Sequence, residues 1–234
     1  MGPQDWVFLA SAAAALFTVW VTVRGNLAGT IAGVAITAIT ARASHALSRR
    51  HPRPMPYFFW WGLLWPRGFL APGPLKKLLE PRAGERILEL GPGIGVHAIP
   101  VAAVLAPDGR LDVLDIQQQM LDRLARRAAK AGVINIVATI GDVQHLTYPA
   151  ASFDGAYLID ALGEMPNPSA VLRELRRVLK PAGRLVVGEH FVDPDFTSLG
   201  RLKDQAREAG FRFERRTGPI VVYLARFGVS RPSP

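Results

Sequence analysis

The stretch RILELGPGIGVHA, Arg86–Ala98, decides the fold of this chain. Its first five residues are typical of a short buried strand, because apolar side chains dominate them. Gly91, Gly93 and Gly95 follow at every second position, and a helical pattern begins behind them. Glycines let the backbone approach a ligand closely, and the amides at a helix N-terminus favour negative or polar groups. The stretch therefore predicts a loop that holds a nucleotide-like ligand.

Strand and helix patterns alternate from about Leu75 onward. The strand candidates are 86–90, 110–115, 134–140, 153–159 and 184–189, and the helical patterns are 95–105, 117–131 and 169–179. This spacing is typical of βαβ units and hence of a parallel sheet covered on both faces. After a helix near 198–209, FRFERRTG and IVVYLARF are joined by a short turn, which predicts antiparallel neighbours. The predicted fold class is α/β, with a mostly parallel sheet that ends in an antiparallel hairpin.

Two ligand classes fit the glycines alone. GIGVHA satisfies the G-x-G-x-x-A pattern of nicotinamide dinucleotide proteins, and Asp115 lies about twenty residues beyond it, where a ribose-binding acid is expected. Three features favour S-adenosylmethionine instead. Glu89 directly precedes the glycines and suits a sulfonium and an ammonium better than a pyrophosphate, and Asp142 is positioned for an adenine amino group. The antiparallel end of the sheet does not belong to the ordinary dinucleotide fold.

Residues 84–190 resemble a class I S-adenosylmethionine-dependent methyltransferase. RILELGPGIG is similar to its first motif, LDVLDI to its second strand, and GDVQHLTYPAASFDGAYLIDAL to its adenine-contact and fourth-strand region. VLRELRRVLKPAGRLVVGE is similar to the following helix and fifth strand. The resemblance is strongest to the ubiquinone/menaquinone methyltransferase-like branch, which acts on small and often lipophilic acceptors. It implies a Rossmann-like sheet of seven strands and S-adenosylmethionine as the cofactor.

The resemblance also implies a set of residues that contact the cofactor. They are Glu89, Gly91, Gly93, Gly95, Asp115, Ile116, Asp142 and Val143. The first four would cradle the methionine part, the next two would bind the ribose and the adenine, and the last two would flank the adenine edge. Asp160, after the fourth strand, would border the methyl group and the acceptor.

A general base is needed only if the acceptor must lose a proton. The candidates are Asp160 and His190, at the ends of neighbouring strands, with Glu189 and Glu164 behind them. The fourth strand ends in LIDALG, without the Asn-Pro-Pro-Tyr type of sequence that accompanies methylation of nucleobase or glutamine amino groups. Asp and His are not grouped at ligand spacing, and the chain has no cysteine, so we predict no metal site.

The N-terminal segment is strongly apolar. Residues 6–23 carry no charge, and a second apolar run, 27–40, follows a polar turn. At about 1.5 Å per residue the first run reaches nearly the ~30 Å of a hydrocarbon core. The pattern predicts two transmembrane helices in a hairpin over residues 1–48. A signal peptide is disfavoured because the start lacks a basic region, and a hairpin buried in a soluble protein is the alternative.

The hairpin has a face of small residues and a basic flank. Gly25, Gly29 and Gly33 recur every four residues, which permits close helix packing and a homo-oligomer, although glycine is also simply common in membrane helices. The net charge is +9, and much of the basic excess lies between Arg42 and Arg86. The positive-inside rule then predicts a multi-pass protein of the cell inner (cytoplasmic) membrane with its catalytic domain in the cytoplasm. Nucleic acid is the competing partner, but no recognition motif accompanies the charge.

Residues 49–74 connect the hairpin to the globular domain, 75–234. Within them MPYFFWWGLLWPRGFL, Met55–Leu70, joins aromatic residues to prolines and arginine. Such a segment is typical of a membrane interface, although its aromatic residues could instead pack on the globular domain.

The sequence therefore predicts an integral-membrane methyltransferase that acts on a lipophilic small molecule or lipid, quinone-like or phospholipid-like. The alternatives are a membrane-anchored protein methyltransferase and a non-catalytic cofactor-binding module.

Overall fold

The computed structural model describes residues 3–50, 54–65 and 67–230. The helices are α1 Pro3–Val23, α2 Leu27–Arg50, α3 Pro72–Leu79, α4 Ala98–Leu105, α5 Gln118–Lys130, α6 Pro168–Val178 and α7 Leu199–Glu208. The strands are β1 Arg86–Leu90, β2 Arg110–Asp115, β3 Ile136–Ile140, β4 Phe153–Ile159, β5 Leu179–His190, β6 Phe211–Thr217 and β7 Val222–Val229. Two 3₁₀ helices, Tyr57–Leu64 and Gly68–Leu70, lie between α2 and α3 along the chain.

The seven strands form one sheet in the order β3-β2-β1-β4-β5-β7-β6. The pairings from β3 through β5 are parallel, and β7 runs antiparallel to both β5 and β6. The predicted α/β class with an antiparallel C-terminal hairpin is confirmed. Because the strand order reverses between β1 and β4, the crevice for a ligand lies at the carboxyl ends of these two strands.

Apolar side chains fill both sides of the sheet. One core cluster packs α6 and α7 on one face, and a second packs α3, α4 and α5 on the other. The strand bounds follow the prediction closely except in β5. That strand begins at Leu179 rather than Arg184, because Leu179 already pairs with Phe153 of β4, and residues 180–183 form an irregularity before Arg184 pairs with Gly155.

The prediction of two transmembrane helices is wrong. α1 and α2 contact each other along a threonine seam, in which Thr18 Oγ1 lies 3.4 Å from Thr37 Oγ1 and Thr22 Oγ1 lies 3.1 Å from Thr30 Oγ1. Across the described ranges, no helix combines the length and the apolar character that crossing a bilayer requires. α2 is rich in alanine, glycine and threonine, whose small apolar area gives little transfer free energy. The expected multi-pass location in the inner membrane is therefore also wrong.

The small-residue face of the hairpin is engaged within the chain. A Cβ at Gly33 would collide with Thr18 of α1, and a Cβ at Gly29 would meet the side chain of Asn26 at 3.1 Å. Gly25 lies in the turn between the helices with φ +70. Because α1 already covers Gly33, the structure gives no support to a homo-oligomer through this face.

Candidate functional site

A cavity of about 560 Å³ opens at the carboxyl ends of β1, β2, β4 and β5. The loops that follow these strands form its floor. Residues 54–65, hereafter the roof segment, contribute its apolar roof, and Arg67 lines it beside them. Its volume and mostly apolar lining are those of a small-molecule or cofactor site.

The glycine loop after β1 forms a cradle in this cavity. Gly91 and Gly93 line it with φ of +68 and +51, in the left-handed region that favours glycine. A Cβ at Gly93 would come within 2.8 Å of Leu63 Cδ1 in the roof segment, so a side chain there would fill the cradle. Gly95 also has a positive φ, +79, but it lies outside the cavity lining, where its Cα packs against Leu124 of α5.

Asp115 lies at the end of β2 and faces the cavity. Its Oδ2 accepts from Gly93 N at 3.3 Å and its Oδ1 from Gln117 N at 2.9 Å. Burial raises the pKa of Asp115, and these backbone hydrogen bonds partly offset that effect. Each carboxylate oxygen can accept more than one hydrogen bond, so the side chain still has capacity for two neighbouring hydroxyls. The geometry fits a ribose.

The next residues on the cavity wall fit a flat aromatic ring. Ile116 is 61% exposed although it is apolar, and it lines the cavity directly after Asp115. Asp142 and Val143 line it from the loop after β3. The backbone N–H of Gln144 donates to Asp142 and lowers the pKa of its carboxyl, so this side chain is an ionised acceptor.

Glu89 lies beneath the glycine loop and outside the cavity lining. Only 2% of it is exposed, and its Oε2 accepts a hydrogen bond from Tyr157 OH at 2.8 Å. Burial raises the pKa of Glu89 to about 8, against the effect of the Tyr157 hydrogen bond. The side chain is therefore neutral near pH 7. In β1 the Glu89 side chain lies on the same face of the sheet as Tyr157, its register partner in β4, and on the opposite face from Leu88 and Leu90.

We expect Glu89→Gln to reduce the loss of stability that the protein suffers as the pH rises. The carboxyl of Glu89 has a pKa of 4.5 in the unfolded chain and about 8 in the folded protein, so the folded protein binds more protons between these values. Its contribution to the free energy of unfolding is therefore fully present below pH 4.5 and is lost as the pH rises toward 8. The slope approaches about 1.4 kcal/mol per pH unit inside this window. Denaturant unfolding of both proteins across the window measures the difference, which should grow in favour of the glutamine variant. Parallel stability curves would contradict the assignment.

Asp160 and His190 form a hydrogen-bonded pair on the cavity wall, at the ends of β4 and β5. His190 Nδ1 lies 2.8 Å from Asp160 Oδ1. Asp160 has a φ of 52, a strained backbone for a residue with a side chain and one that is common at functional sites. Burial lowers the pKa of His190, but the hydrogen bond and the charge of Asp160 outweigh it, and the net pKa is raised. Because Nδ1 is engaged, Nε2 is the atom that can exchange a proton.

Asp193 and Arg67 complete this wall, and neither was a candidate from the sequence. Carboxylate or imidazole atoms of Asp160, His190 and Asp193 lie within 4.8 Å of one another. Burial and the charge of Asp160 raise the pKa of Asp193 to about 7. Arg67 Nη1 donates to Asp160 Oδ2 at 3.0 Å. The available signals were a single arginine within an apolar segment and the paired acids of VDPD after the fifth strand.

The roof segment packs on the globular domain, which was the alternative to a membrane interface. Met55 O accepts from Gln117 Nε2 at 2.9 Å, and the Arg123 guanidinium lies 3.1 Å from the ring centre of Trp60. Phe58, Phe59 and other apolar side chains of the segment line the cavity. The roof segment thus covers the crevice in which the glycine loop and Asp115 meet.

Residues 87–183 match a protein family described as "Methyltransferase domain". The chain is 36% identical over 137 residues to 27-O-demethylrifamycin SV methyltransferase of Amycolatopsis mediterranei, covering 58% of this chain and 50% of that protein. It is 33% identical over 106 residues to demethylmenaquinone methyltransferase of Symbiobacterium thermophilum, covering 45% and 42%. The chain therefore spans about half the length, or less, of these curated relatives.

Solved structures share the fold at lower identity. A SAM-dependent methyltransferase from Aquifex aeolicus superposes with a TM-score of 0.68 at 18% identity, covering 75% of this chain and 98% of that one. The [4+2]-cyclase SpnF superposes with a TM-score of 0.60 at 20% identity, covering 68% and 79%. Since proteins described by two different reactions share this fold, the reaction has to be argued from the site.

Proposed function

Because the chain contains a class I S-adenosylmethionine-dependent methyltransferase domain, we propose that it methylates a hydroxyl group of a lipophilic small molecule. We place the catalytic domain at residues 75–234, with 49–74 as its connector and 1–48 as a separate helical hairpin. The observation that carries the proposal is the Asp160–His190 pair, which lies on the wall of the same cavity as the glycine loop.

The residues of the cavity fit the cofactor part by part. Gly91 and Gly93 line the cavity without side chains, so their backbone is accessible to the methionine portion, and Asp115 has two acceptor oxygens for the ribose hydroxyls. Ile116 and Val143 offer apolar surface to the adenine, and Asp142 offers an acceptor for its amino group. Acidic side chains outnumber basic ones on the wall, which suits a sulfonium and an ammonium.

The bound cofactor supplies an electrophilic methyl group on sulfur, and this chain's own residues prepare the acceptor. His190 Nε2 takes the hydroxyl proton, while Asp160 orients the ring through Nδ1 and stabilises the imidazolium that forms. The apolar roof excludes water. This strengthens the hydrogen bonds that His190 makes to Asp160 and to the acceptor hydroxyl, and it keeps hydroxide from competing with the acceptor for the methyl group. Alignment of the acceptor oxygen with the methyl group provides the rest of the rate enhancement.

The lining of the cavity supports a lipophilic acceptor. Side chains of Phe58, Phe59, Leu63, Met165 and Val192 line the same cavity as Asp160 and His190. Relatives of the chain carry the names of rifamycin, nocamycin and menaquinone methyltransferases. The first two names specify an oxygen as the methylated atom, which supports a hydroxyl acceptor for this chain, and the third supports only a small-molecule acceptor.

We expect Asp115→Ala to weaken S-adenosylmethionine binding by about 1–3 kcal/mol, since ribose hydroxyls would lose a buried charged acceptor. Titration calorimetry measures the change, and the same titration with a nicotinamide dinucleotide should show no binding to the wild type. Asp108→Ala is the matched control, because it removes an equal charge from an exposed turn. An unchanged affinity in Asp115→Ala, with normal unfolding behaviour, would contradict the assignment of the ribose site.

The acceptor class is tested by supplying methyl-labelled cofactor and a cell extract to the purified chain, followed by extraction with organic solvent. We expect the label in the extractable small-molecule fraction. Label that stays with polypeptide would contradict the proposal and favour a protein acceptor. Tight cofactor binding without label transfer to any fraction would favour a non-catalytic module.

A further inference from the structure

Arg67 joins the roof segment to the Asp160–His190 pair. Its Nε donates to Leu63 O at 3.2 Å, and its Nη1 donates to Asp160 Oδ2 at 3.0 Å. The side chains of Arg67 and Asp160 are only 17% and 10% exposed. An ion pair shielded in this way is stronger and less screened than a pair on the surface.

The same part of the roof segment closes the cofactor cradle. Leu63 Cδ1 lies against Gly93, so close that a Cβ on that glycine would come within 2.8 Å of it. Leu63 thus makes two contacts. Its side chain lies against the glycine loop, and its backbone carbonyl accepts the hydrogen bond from Arg67. A displacement of the roof segment would therefore withdraw Leu63 from the glycine loop and Arg67 from Asp160 together.

On the basis of the proposed function, we propose that Arg67 is a positioning residue that couples closure of the roof segment to assembly of the base. It holds the Asp160 carboxylate in place beside His190 only while the roof segment lies across the glycine loop. When the roof segment is displaced, Asp160 loses the guanidinium of Arg67 and keeps only the hydrogen bond to His190, and its left-handed backbone loses a restraint. Proton removal from the acceptor is thereby confined to the closed, water-excluding site.

Charged groups from three parts of the chain face His190. Asp160, after β4, and Asp193, in the loop after β5, raise the pKa of the imidazole, whereas burial and the positive charge of Arg67 lower it. Removal of the Arg67 charge should therefore raise this pKa further. If the charge of Arg67 did not act on Asp160 and His190, the pKa of His190 would stay unchanged.

The test follows the imidazole signal of His190 by NMR through a pH titration of the full chain without acceptor, with His190→Asn identifying the signal. We expect Arg67→Met to raise the measured pKa of His190 and to speed amide hydrogen exchange in residues 57–64. Arg67→Lys should keep the pKa close to that of the wild type, since a positive charge remains near Asp160. Arg123→Met tests the coupling without any change at Arg67, because it removes a cation from Trp60 of the same roof segment without touching Asp160. It should speed the exchange and also raise the pKa of His190, since a displaced roof segment withdraws the charge of Arg67 from Asp160.

Coupling must also act in the opposite direction. Asp160→Asn should speed amide exchange in residues 57–64, because Arg67 loses its charged partner there. An unchanged His190 pKa in Arg67→Met, or unchanged exchange in Asp160→Asn, would overturn the inference. Neither readout needs the acceptor, so these results test the coupling alone. The role of His190 as a base is tested separately, by the activity of His190→Asn.

Discussion

Replacement of His190 by asparagine should lower kcat/KM for methyl transfer by about a hundredfold to ten-thousandfold, the usual contribution of a positioned general base. Asparagine can still donate an amide N–H to Asp160, so the variant removes the proton acceptor at Nε2 while it keeps the hydrogen bond on the other side. The affinity for S-adenosylmethionine should not change, because no cofactor contact is assigned to His190. His145→Asn is the control, since that side chain is 89% exposed.

The pH dependence of this activity separates a base from a structural histidine. His190 must be neutral to accept a proton, so kcat/KM of the wild type should rise with pH through its pKa, which lies above the ordinary 6.5. His190→Asn should lose this acidic limb. An acidic limb that persists in the variant, or a loss of less than about tenfold, would show that another group takes the proton or that none is needed.

Replacement of Arg184 by methionine should lower the free energy of unfolding by about 3–5 kcal/mol, the usual cost of removing one partner of a buried ion pair. Arg184 is 9% exposed, and its guanidinium donates to both carboxylate oxygens of Glu85. It also donates to three backbone carbonyls, of Leu79, Glu80 and Asp154. Methionine fills the volume but leaves the Glu85 charge and the carbonyls at the end of α3 without these donors.

Chemical denaturation measures this effect, with Arg207→Met as the matched control. Arg207 pairs with Asp204 on the surface of α7 and is 75% exposed, so its loss should cost no more than about 1 kcal/mol. An equal loss of unfolding free energy in the two variants would contradict the conclusion that the hydrogen bonds of Arg184 hold the end of α3 against the sheet.

The sheet was predictable from the sequence because its signals are local. β1, β2 and β4 begin and end where the apolar runs predicted, and the short turn after β6 required an antiparallel partner. Asp115 could be placed for the same reason, since a residue at the end of β2 necessarily lies beside the glycine loop. These inferences need only strand periodicity and the topology of a parallel sheet.

The remaining features depend on contacts between distant parts of the chain. The sequence marks Glu89 as an ionisable residue, but burial in β1 raises its pKa and keeps it neutral, against the effect of the hydrogen bond from Tyr157. Asp193 and Arg67 reach Asp160 only through folding, so no spacing pattern indicates them. The apolar run of α2 was overvalued because a count of apolar residues weights alanine as much as leucine.

The chemical environment of the transferred methyl group tests the central claim most directly. The product formed from isotopically methyl-labelled cofactor and the extracted acceptor can be examined by carbon NMR, which separates methyl groups bonded to oxygen, nitrogen and carbon. The account predicts a methoxy signal on a small molecule, formed by the wild type and lost in His190→Asn. A labelled methyl group on nitrogen, on carbon or on a polypeptide would contradict it.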